Sequence, residues 1–400
     1  MDKIVVKEDE TVELSNVDGD LEAFDGATIN VSSKVDKLVI TGNLLSKGDV
    51  LLNGSIEVQE IIHKDGYLEI EGDVFAKRVN VRNGGRGGSS RLIVGGSLKA
   101  EESSIDGSLE VGKDFDCPNV KIMGSCVVYG DSNLENYDVS GSAKHEMNLN
   151  AKEVEIGGSL KIGGDAVILE ELDVSGSAKI DGALDCPDID IGGSFVCSDL
   201  ITNETDVSGS VKTKSAQIKE KLSVSGSYKC ENSCEAAKIA ISGSCRLGDE
   251  SIVEKLNVSG SAKLGDNSKL QEAKISGSLG LGSDVTGGSI TVSGSCGSSG
   301  YLKLDGKIAI SGSLSGEEIE SKELNISGGL NCEIAKAELI IIGQDSRVRG
   351  KLIGGTVMIE RGARVEDIIA DEVELGEKVR AGLVKAGKIE ADPSAKYTEN

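Results

Sequence analysis

The side chains that most often perform catalysis or bind metals are sparse in this chain and stand apart from one another. Its two histidines, His63 and His145, have no partner at a catalytic or metal-ligand spacing, and we expect each to be exposed or at the edge of a repeat. The glycine-rich run 84–88 lacks the Lys-Ser/Thr and the helix that a phosphate-binding loop requires. Gly163-Gly164-Asp165 is one fragment of a calcium-binding nonapeptide. We therefore predict no enzymatic activity, no cofactor and no metal site.

A 17-residue repeat must position every side chain in most of this chain. An apolar residue, counted here as position 0, precedes a Gly by two residues in 15 successive units, and Ser follows that Gly in the first 13. Position 0 is held by Ile105, Ile122, Val139, Ile156, Val174, Ile191, Val207, Val224, Ile241, Val258, Ile275, Val292, Ile310, Ile326 and Ile341. A fixed period of this length indicates one small structural unit stacked many times.

Apolar residues recur within each unit at positions 15 and 0, at positions 4 and 6, and near positions 10 to 12. Spacing by two predicts three short strands with alternate residues inward. Because every unit runs in the same direction, the strands must pair in parallel with their counterparts one turn away. The sequence therefore predicts an all-β fold, a right-handed parallel β-helix (solenoid) of about 17 residues per turn and roughly 20–23 turns. A left-handed coil would be expected to show a six-residue sub-period, which is absent.

The Gly-Ser pair marks the corner of each turn. Glycine fits a corner that needs either positive φ or close approach of the backbone. The serine hydroxyl can bond to the backbone of the turn or to its stacked neighbour. We divide the single continuous solenoid into irregular turns over 1–104 with a Gly/Arg loop at 82–91, regular repeats over 105–343, further turns over 344–391, and a disordered tail over 392–400.

Cysteine usage follows the repeat. Of the nine cysteines, six occupy positions 4 and 6, which otherwise hold mostly Leu, Ile, Val or Ala, and no two in one column lie on adjacent units. Those six are Cys126, Cys245, Cys296, Cys197, Cys230 and Cys332. We predict reduced thiols that act as small core side chains.

The composition limits the classes of partner. The formal net charge of −24 argues against nucleic-acid binding through a general basic surface. No apolar run of 18 residues occurs, and the N-terminus does not resemble a signal peptide. A cytoplasmic location is the simplest interpretation, and a membrane contact is doubtful.

Charged residues also recur with the repeat. Position 5 holds basic residues, which include Lys212, Lys229, Arg246 and Lys263, and the position before 0 holds Asp138, Glu155, Asp173, Asp190 and Asp206. In a coil these become a basic column and an acidic column on different faces. Two interpretations remain: a solvated surface, or a lateral contact between copies through complementary columns.

The ends of the chain show strand patterns without a capping helix. Ile4, Val5 and Val6 begin the pattern, and Val384 and Ile389 fall in its last predicted turn. An uncapped coil leaves unpaired backbone groups and apolar side chains at its ends. We predict that these five residues form a head-to-tail contact between copies, which continues as a filament because it does not close.

Two segments resemble the bactofilins, polymer-forming cytoskeletal proteins of prokaryotes. One is Leu68–Val81 (LEIEGDVFAKRVNV), and the other is Val348–Ala391, with VMIERGARV at 357–365 and IADEVEL at 369–375. The resemblance implies a right-handed β-helix that assembles end to end without nucleotide into filaments, as a scaffold for partner proteins or at a membrane. This chain has more than three times the usual number of turns.

The leading interpretation is therefore a structural, self-assembling intracellular scaffold whose principal partner is a second copy of itself. The resemblance adds other cytoskeletal or cell-envelope proteins as further partners. The alternative is a β-helical module that does not polymerise and recruits partner proteins along its faces.

Overall fold

The structure of this protein is a computed structural model that describes residues 2–84 and 90–399. Strands are its regular elements, and no helix occurs in that part of the chain. They pair in parallel with counterparts about 17 residues away, which forms a β-solenoid of about 23 turns. The predicted all-β solenoid is confirmed, and the right-handed sense of its coil stays a prediction. Two compact units make up the chain, Met1–Thr202 and Asn203–Asn400.

Unit 1 is a stack of turns that ends within one strand, β26 (Asp199–Val207). Its preceding strands are β1 (Asp2–Val6), β2 (Thr11–Leu14), β3 (Asn16–Val17), β4 (Gly19–Ala23), β5 (Thr28–Val31), β6 (Lys37–Lys47), β7 (Val50–Asn53), β8 (Ser55–Lys64), β9 (Tyr67–Ile70), β10 (Val74–Arg82), β11 (Arg91–Val94), β12 (Leu98–Lys99), β13 (Glu102–Ile105), β14 (Ser108–Val111), β15 (Phe115–Ile122), β16 (Cys126–Val128), β17 (Ser132–Val139), β18 (Ala143–His145), β19 (Leu149–Ile156), β20 (Leu160–Ile162), β21 (Ala166–Val174), β22 (Ala178–Ile180), β23 (Leu184–Asp185), β24 (Asp188–Ile191) and β25 (Phe195–Val196).

Unit 2 is also a stack of turns. Its strands after β26 are β27 (Val211–Thr213), β28 (Ser215–Val224), β29 (Tyr228–Cys230), β30 (Cys234–Ile241), β31 (Cys245–Arg246), β32 (Ile252–Val258), β33 (Ala262–Leu264), β34 (Lys269–Ile275), β35 (Leu279–Leu281), β36 (Val285–Val292), β37 (Cys296–Ser298), β38 (Leu302–Leu304), β39 (Lys307–Ile310), β40 (Ser313–Ser315), β41 (Glu318–Ile326), β42 (Gly329–Ile342), β43 (Arg347–Ile359), β44 (Arg364–Val365), β45 (Asp367–Leu375), β46 (Arg380–Ala391) and β47 (Lys396–Glu399).

One turn of unit 1 shows how the sequence builds the coil. Alternation in β17 is interrupted by two successive exposed residues, Glu135 and Asn136, which place a bend within the strand. The corner 140–142 then leads into β18. The three predicted strands correspond to three pairs of inward-facing residues. Two of these pairs lie on the bent strand β17, and the third lies on β18. The inward residues are Ser132, Leu134, Tyr137, Val139, Ala143 and His145, all buried.

The turn thus has three faces. We call the face that ends at position 0 the pre-corner face, the face over positions 4 to 6 the post-corner face, and the remaining one the third face. Each stacks on its counterpart, so that Val139 pairs with Ile156 and Ala143 with Leu160. The core is consequently a narrow set of columns filled by one side chain per turn.

Close backbone approach explains the corner glycines. A Cβ on Gly141 would lie 2.4 Å from the carbonyl oxygen of Gly124, the oxygen that accepts the Gly141 amide at 3.0 Å. Its φ is not positive, so close approach is the alternative that the structure supports at this position. The adjacent serine bonds to its stacked neighbour as predicted, since the Ser159 amide donates to Ser142 Oγ at 3.1 Å.

Toward each end of the chain, some turns are not 17 residues long. Val79 pairs with Ser103, 24 residues on. Of the predicted 82–91 loop, Arg82 ends β10, Arg91 begins β11, and 85–89 lie outside the described residues. Near the other end, Ile326 pairs with Ile342 rather than Ile341. The prediction that Ile341 holds position 0 is therefore wrong, because this turn is one residue shorter and Ile342 takes the buried place.

The predicted disordered tail differs from the structure over most of its length. Lys396–Glu399 form β47, which pairs in parallel with β46 at Arg380, Leu383 and Val384. The alternating sequence Lys-Tyr-Thr-Glu supplies a strand pattern, and Asp392 Oδ1 accepts the Ser394 amide at 2.8 Å in the corner before it. The segment therefore adds part of another turn.

Candidate functional site

The first strand of unit 1 has an open edge. β1 pairs with β4, Ile4 opposite Leu21 and Val6 opposite Ala23, and no other described strand pairs with it. Alternate residues point inward, so Ile4 is half-buried whereas Val5 is 44% exposed on the outer surface. The edge therefore presents unpaired backbone groups beside an incompletely covered apolar side chain.

The last turns of unit 2 have a matching open edge. β46 pairs with β45, Val384 opposite Ile368 and Ile389 opposite Val373. β47 covers β46 only as far as Val384, so 385–391 have no partner on their outer side within the described chain. Ile389 is half-buried at this edge.

The structure separates the five predicted end-contact residues into different roles. Val6 and Val384 are fully buried and support their strands from within, while Val5 points outward. Of the five, only Ile4 and Ile389 point inward and are half-buried at an open edge. Sequence reasoning missed three further half-buried residues of these end turns, although each lies in an alternating segment: Val12, Leu14 and Tyr397.

The predicted basic column is a register-matched stripe on the post-corner face of unit 2. Lys212 pairs with Lys229, Lys229 with Arg246, and Arg246 with Lys263. Glu231 Oε1 lies 3.1 Å from Lys212 Nζ and 2.9 Å from Lys229 Nζ. These contacts lower the pKa of the Glu231 carboxyl, and the hydrogen bond from Lys229 has the largest effect. We call Lys212, Lys229, Arg246 and Lys263 the basic stripe.

The predicted acidic column is likewise in register over four turns of unit 1. Asp138 pairs with Glu155, Glu155 with Asp173, and Asp173 with Asp190. We call these four residues the acidic stripe. Asp206, the fifth predicted member, lies in unit 2, where its carboxylate is 3.7 Å from Lys221 Nζ.

Both histidines are buried, so the prediction of exposed or edge histidines is wrong. His145 takes position 6 of its turn, between Val128 and Ile162 in a core column. Its Nδ1 lies 2.8 Å from Ser132 Oγ and its Nε2 3.1 Å from the Tyr137 hydroxyl. These partners satisfy the ring in the core, which is why an imidazole can replace an aliphatic side chain there.

The buried histidine predicts a pH-dependent stability. Burial lowers the pKa of His145 to about 4 from about 6.5, so its neutral form is favoured in the fold. The free energy of unfolding is therefore highest above pH 6.5. It decreases by about 3 kcal/mol as the pH falls from 6.5 to 4, because the unfolded chain binds the proton first.

We expect urea unfolding, followed by circular dichroism, to show this loss as a difference between the wild type and His145→Gln. The glutamine amide can still form hydrogen bonds but does not titrate. Because both proteins carry the same surface carboxylates, the effect of these groups cancels in the difference between the two stability curves. Parallel stability curves for the two proteins between pH 7 and pH 4 would contradict the assignment.

The nine thiols are free and buried, which confirms their prediction as core side chains. Cys230 and Cys234 lie in one turn of unit 2 beside Tyr228, whose hydroxyl is 3.7 Å from Cys234 Sγ and 3.3 Å from Thr213 Oγ1. The side-chain hydrogen bond between Cys230 and Cys234 has the largest effect and lowers the pKa of the Cys230 thiol to about 7. Both thiols are about 1% exposed, so this polar cluster belongs to the core.

Neither the sites nor the comparisons identify an activity. Residues 2–84 and 90–399 contain no cluster of His, Cys, Asp and Glu that would hold a metal ion. A long apolar helix of the kind that crosses membranes is also missing from that part of the chain. Comparisons with protein-family models, curated proteins and solved structures return no match.

Proposed function

We propose that this protein is a structural scaffold that assembles end to end into intracellular filaments without nucleotide. The observation that carries the proposal is the pair of open edges, β1 and the 385–391 part of β46. Each edge strand is paired on one side only and carries a half-buried inward isoleucine. The resemblance to bactofilins supports the same function.

The two edges occupy the same place in the turn. Val6 and Ala391 each end the strand that precedes a corner, and Ile4 and Ile389 each lie two residues earlier. Parallel pairing of the 388–391 segment of one copy with β1 of the next would therefore place Ile389 beside Ile4 and Ala391 beside Val6. The inward and outward alternation of the ladder is preserved across this contact, as register requires.

A contact of this kind is heterologous, because the edge of unit 1 in one copy binds a different edge, that of unit 2, in another copy. Repetition of a heterologous contact that does not close produces an open filament. It also pairs the backbone groups of both edges and completes the burial of two isoleucines, each of which contributes about 1 kcal/mol or more. End-to-end assembly thus removes the features that an isolated molecule leaves exposed.

The second candidate is a β-helical module that recruits other proteins along its faces. It is favoured by an apolar patch at a bulge of β21, where Val167 is 41% exposed and Leu169 65%. Exposed neighbouring apolar side chains are typical of protein-binding surfaces.

Electron microscopy of the negatively stained protein, purified without nucleotide or metal, tests the proposal. We expect long filaments of uniform width. Separate particles of the size of a single chain at all protein concentrations would contradict end-to-end assembly and favour the recruiting module.

A further inference from the structure

We propose that the basic stripe of one copy binds the acidic stripe of a second copy, so that neighbouring filaments pair side by side. This inference rests on the proposed scaffold function and adds a second, lateral contact to it. Four cations in consecutive turns of unit 2 meet four carboxylates in consecutive turns of unit 1 of another molecule.

The basic stripe retains positive charge that its own unit does not neutralise. Glu231 is shared by Lys212 and Lys229. Arg246 and Lys263 are exposed and form no ion pair with any residue of the described chain. Glu231 lies two residues after Lys229, whereas the residues two after Arg246 and Lys263 are Gly248 and Gly265. No carboxylate is therefore available at those two positions.

The same column in unit 1 provides an internal comparison. Lys144 and Lys179 occupy equivalent positions, but each has a carboxylate two residues later in its own turn. Lys144 pairs with Glu146, and Lys179 Nζ lies 2.6 Å from Asp181 Oδ1. Lys161, between them, has Gly163 at that position and no ion pair within the described residues. Two of the three cations of this column in unit 1 are therefore paired, whereas the four cations of unit 2 share one carboxylate, so unit 2 carries the more positive surface for an anionic partner.

The acidic stripe belongs to a wider carboxylate surface. A second column lies two residues before it on the same strands, where Glu153 pairs with Glu171 and Glu171 with Asp188. Lys121 Nζ is 2.8 Å from Asp138 Oδ2 at one end of the stripe. Glu155 and Asp173 are exposed and have no ion pair within residues 2–84 and 90–399. Lys152 Nζ lies 3.6 Å from Glu153 Oε1 in the second column, so the unpaired negative charge is that of Glu155 and Asp173 in the stripe itself.

The two stripes match in spacing because both are set by the same ladder. Adjacent parallel strands lie about 4.8 Å apart, so four turns extend each stripe over about 14 Å. A row of cations and a row of carboxylates with the same spacing can align over all four positions. A flexible polyanion has no such fixed spacing between its charges. A second copy is therefore the partner that the surfaces fit.

Charge reversal on each stripe tests the proposal. We expect the wild type to form paired filaments at about 50 mM salt and mostly single ones at about 500 mM, because exposed charges are then screened. Arg246→Glu/Lys263→Glu should reduce pairing about tenfold at low salt, as should Glu155→Lys/Asp173→Lys. A mixture of the two variants should restore pairing, because each then carries the stripe that the other lacks.

Lys219→Glu/Lys255→Glu is the matched control. It changes the net charge of unit 2 by the same amount at exposed positions away from the stripe, and we expect it to pair like the wild type. Equal loss of pairing in this control, no restoration in the mixture, or salt-independent pairing would overturn the proposal. So would binding of poly-L-glutamate to a wild type that does not pair, since the stripe would then serve a foreign polyanion.

Filament length and filament width separate the two proposals. Loss of lateral pairing leaves single filaments of normal length, whereas failure of end-to-end assembly leaves short particles. If only short particles form, analytical ultracentrifugation at both salt concentrations still measures the lateral association and its restoration in the mixture.

Discussion

Ile389→Lys is expected to abolish filaments while leaving the fold intact. The side chain is half-buried at the open edge of β46, so lysine is tolerated in the free molecule, where its ammonium reaches water. In the proposed contact the same ammonium would lie beside Ile4, away from water and without a carboxylate partner. An unpaired buried charge weakens association by several kcal/mol, and we expect at least about 100-fold weaker end-to-end binding.

Ile369→Lys is the matched control for that variant. Ile369 lies on β45 of the same unit, is 38% exposed and points outward rather than toward an edge. We expect this protein to form filaments like the wild type in sedimentation and electron microscopy. Filaments of equal length and critical concentration in both variants would contradict the contact at Ile389.

Gly277→Ala is expected to destabilise unit 2 by about 3 kcal/mol, at the upper end of the range for overpacked sites. An added Cβ would lie 2.3 Å from the carbonyl oxygen of Gly260 and 2.8 Å from its carbonyl carbon. That oxygen also accepts the Gly277 amide at 3.0 Å. Because the obstruction is backbone, it can be relieved only by moving two stacked turns apart. Urea unfolding followed by circular dichroism measures the loss.

Gly280→Ala tests whether any alanine in this segment has the same effect. Gly280 is three residues away on β35, and its nearest neighbour to an added Cβ would be Lys263 Cγ at 3.7 Å. We expect no loss of stability, and a gain of up to about 1 kcal/mol from the reduced freedom of the unfolded chain. Equal destabilisation by the two alanines would contradict the close-approach account of the corner.

Much of the architecture could be predicted from the sequence, because a repeat places each residue in the same environment turn after turn. The alternation around Val139 and Ala143 gave the inward columns, and the Gly-Ser pair gave the corner. The columns of Lys212 and of Asp138 were also predictable, since residues one repeat apart must stack. His145 was misjudged even though its position 6 is a core position in the other units.

Features that depend on the length of one particular turn were not predictable. The sequence does not say that the turn ending at Ile342 is one residue short, nor that Lys396–Glu399 pair with β46. It left two explanations for glycines such as Gly141, and the tertiary structure decided for close approach because the obstructing carbonyl belongs to the preceding turn.

The sequence alone thus determined the period, the parallel coil and the contents of its columns, since these follow from local alternation repeated along the chain. Only the tertiary structure decided which charges are neutralised and which edges stay open. Glu146 pairs with Lys144 whereas Arg246 has no such neighbour, and β47 covers Val384 but not Ile389. Such differences depend on which side chains and strand segments come within bonding distance once the turns are stacked, which a local alternation pattern does not specify.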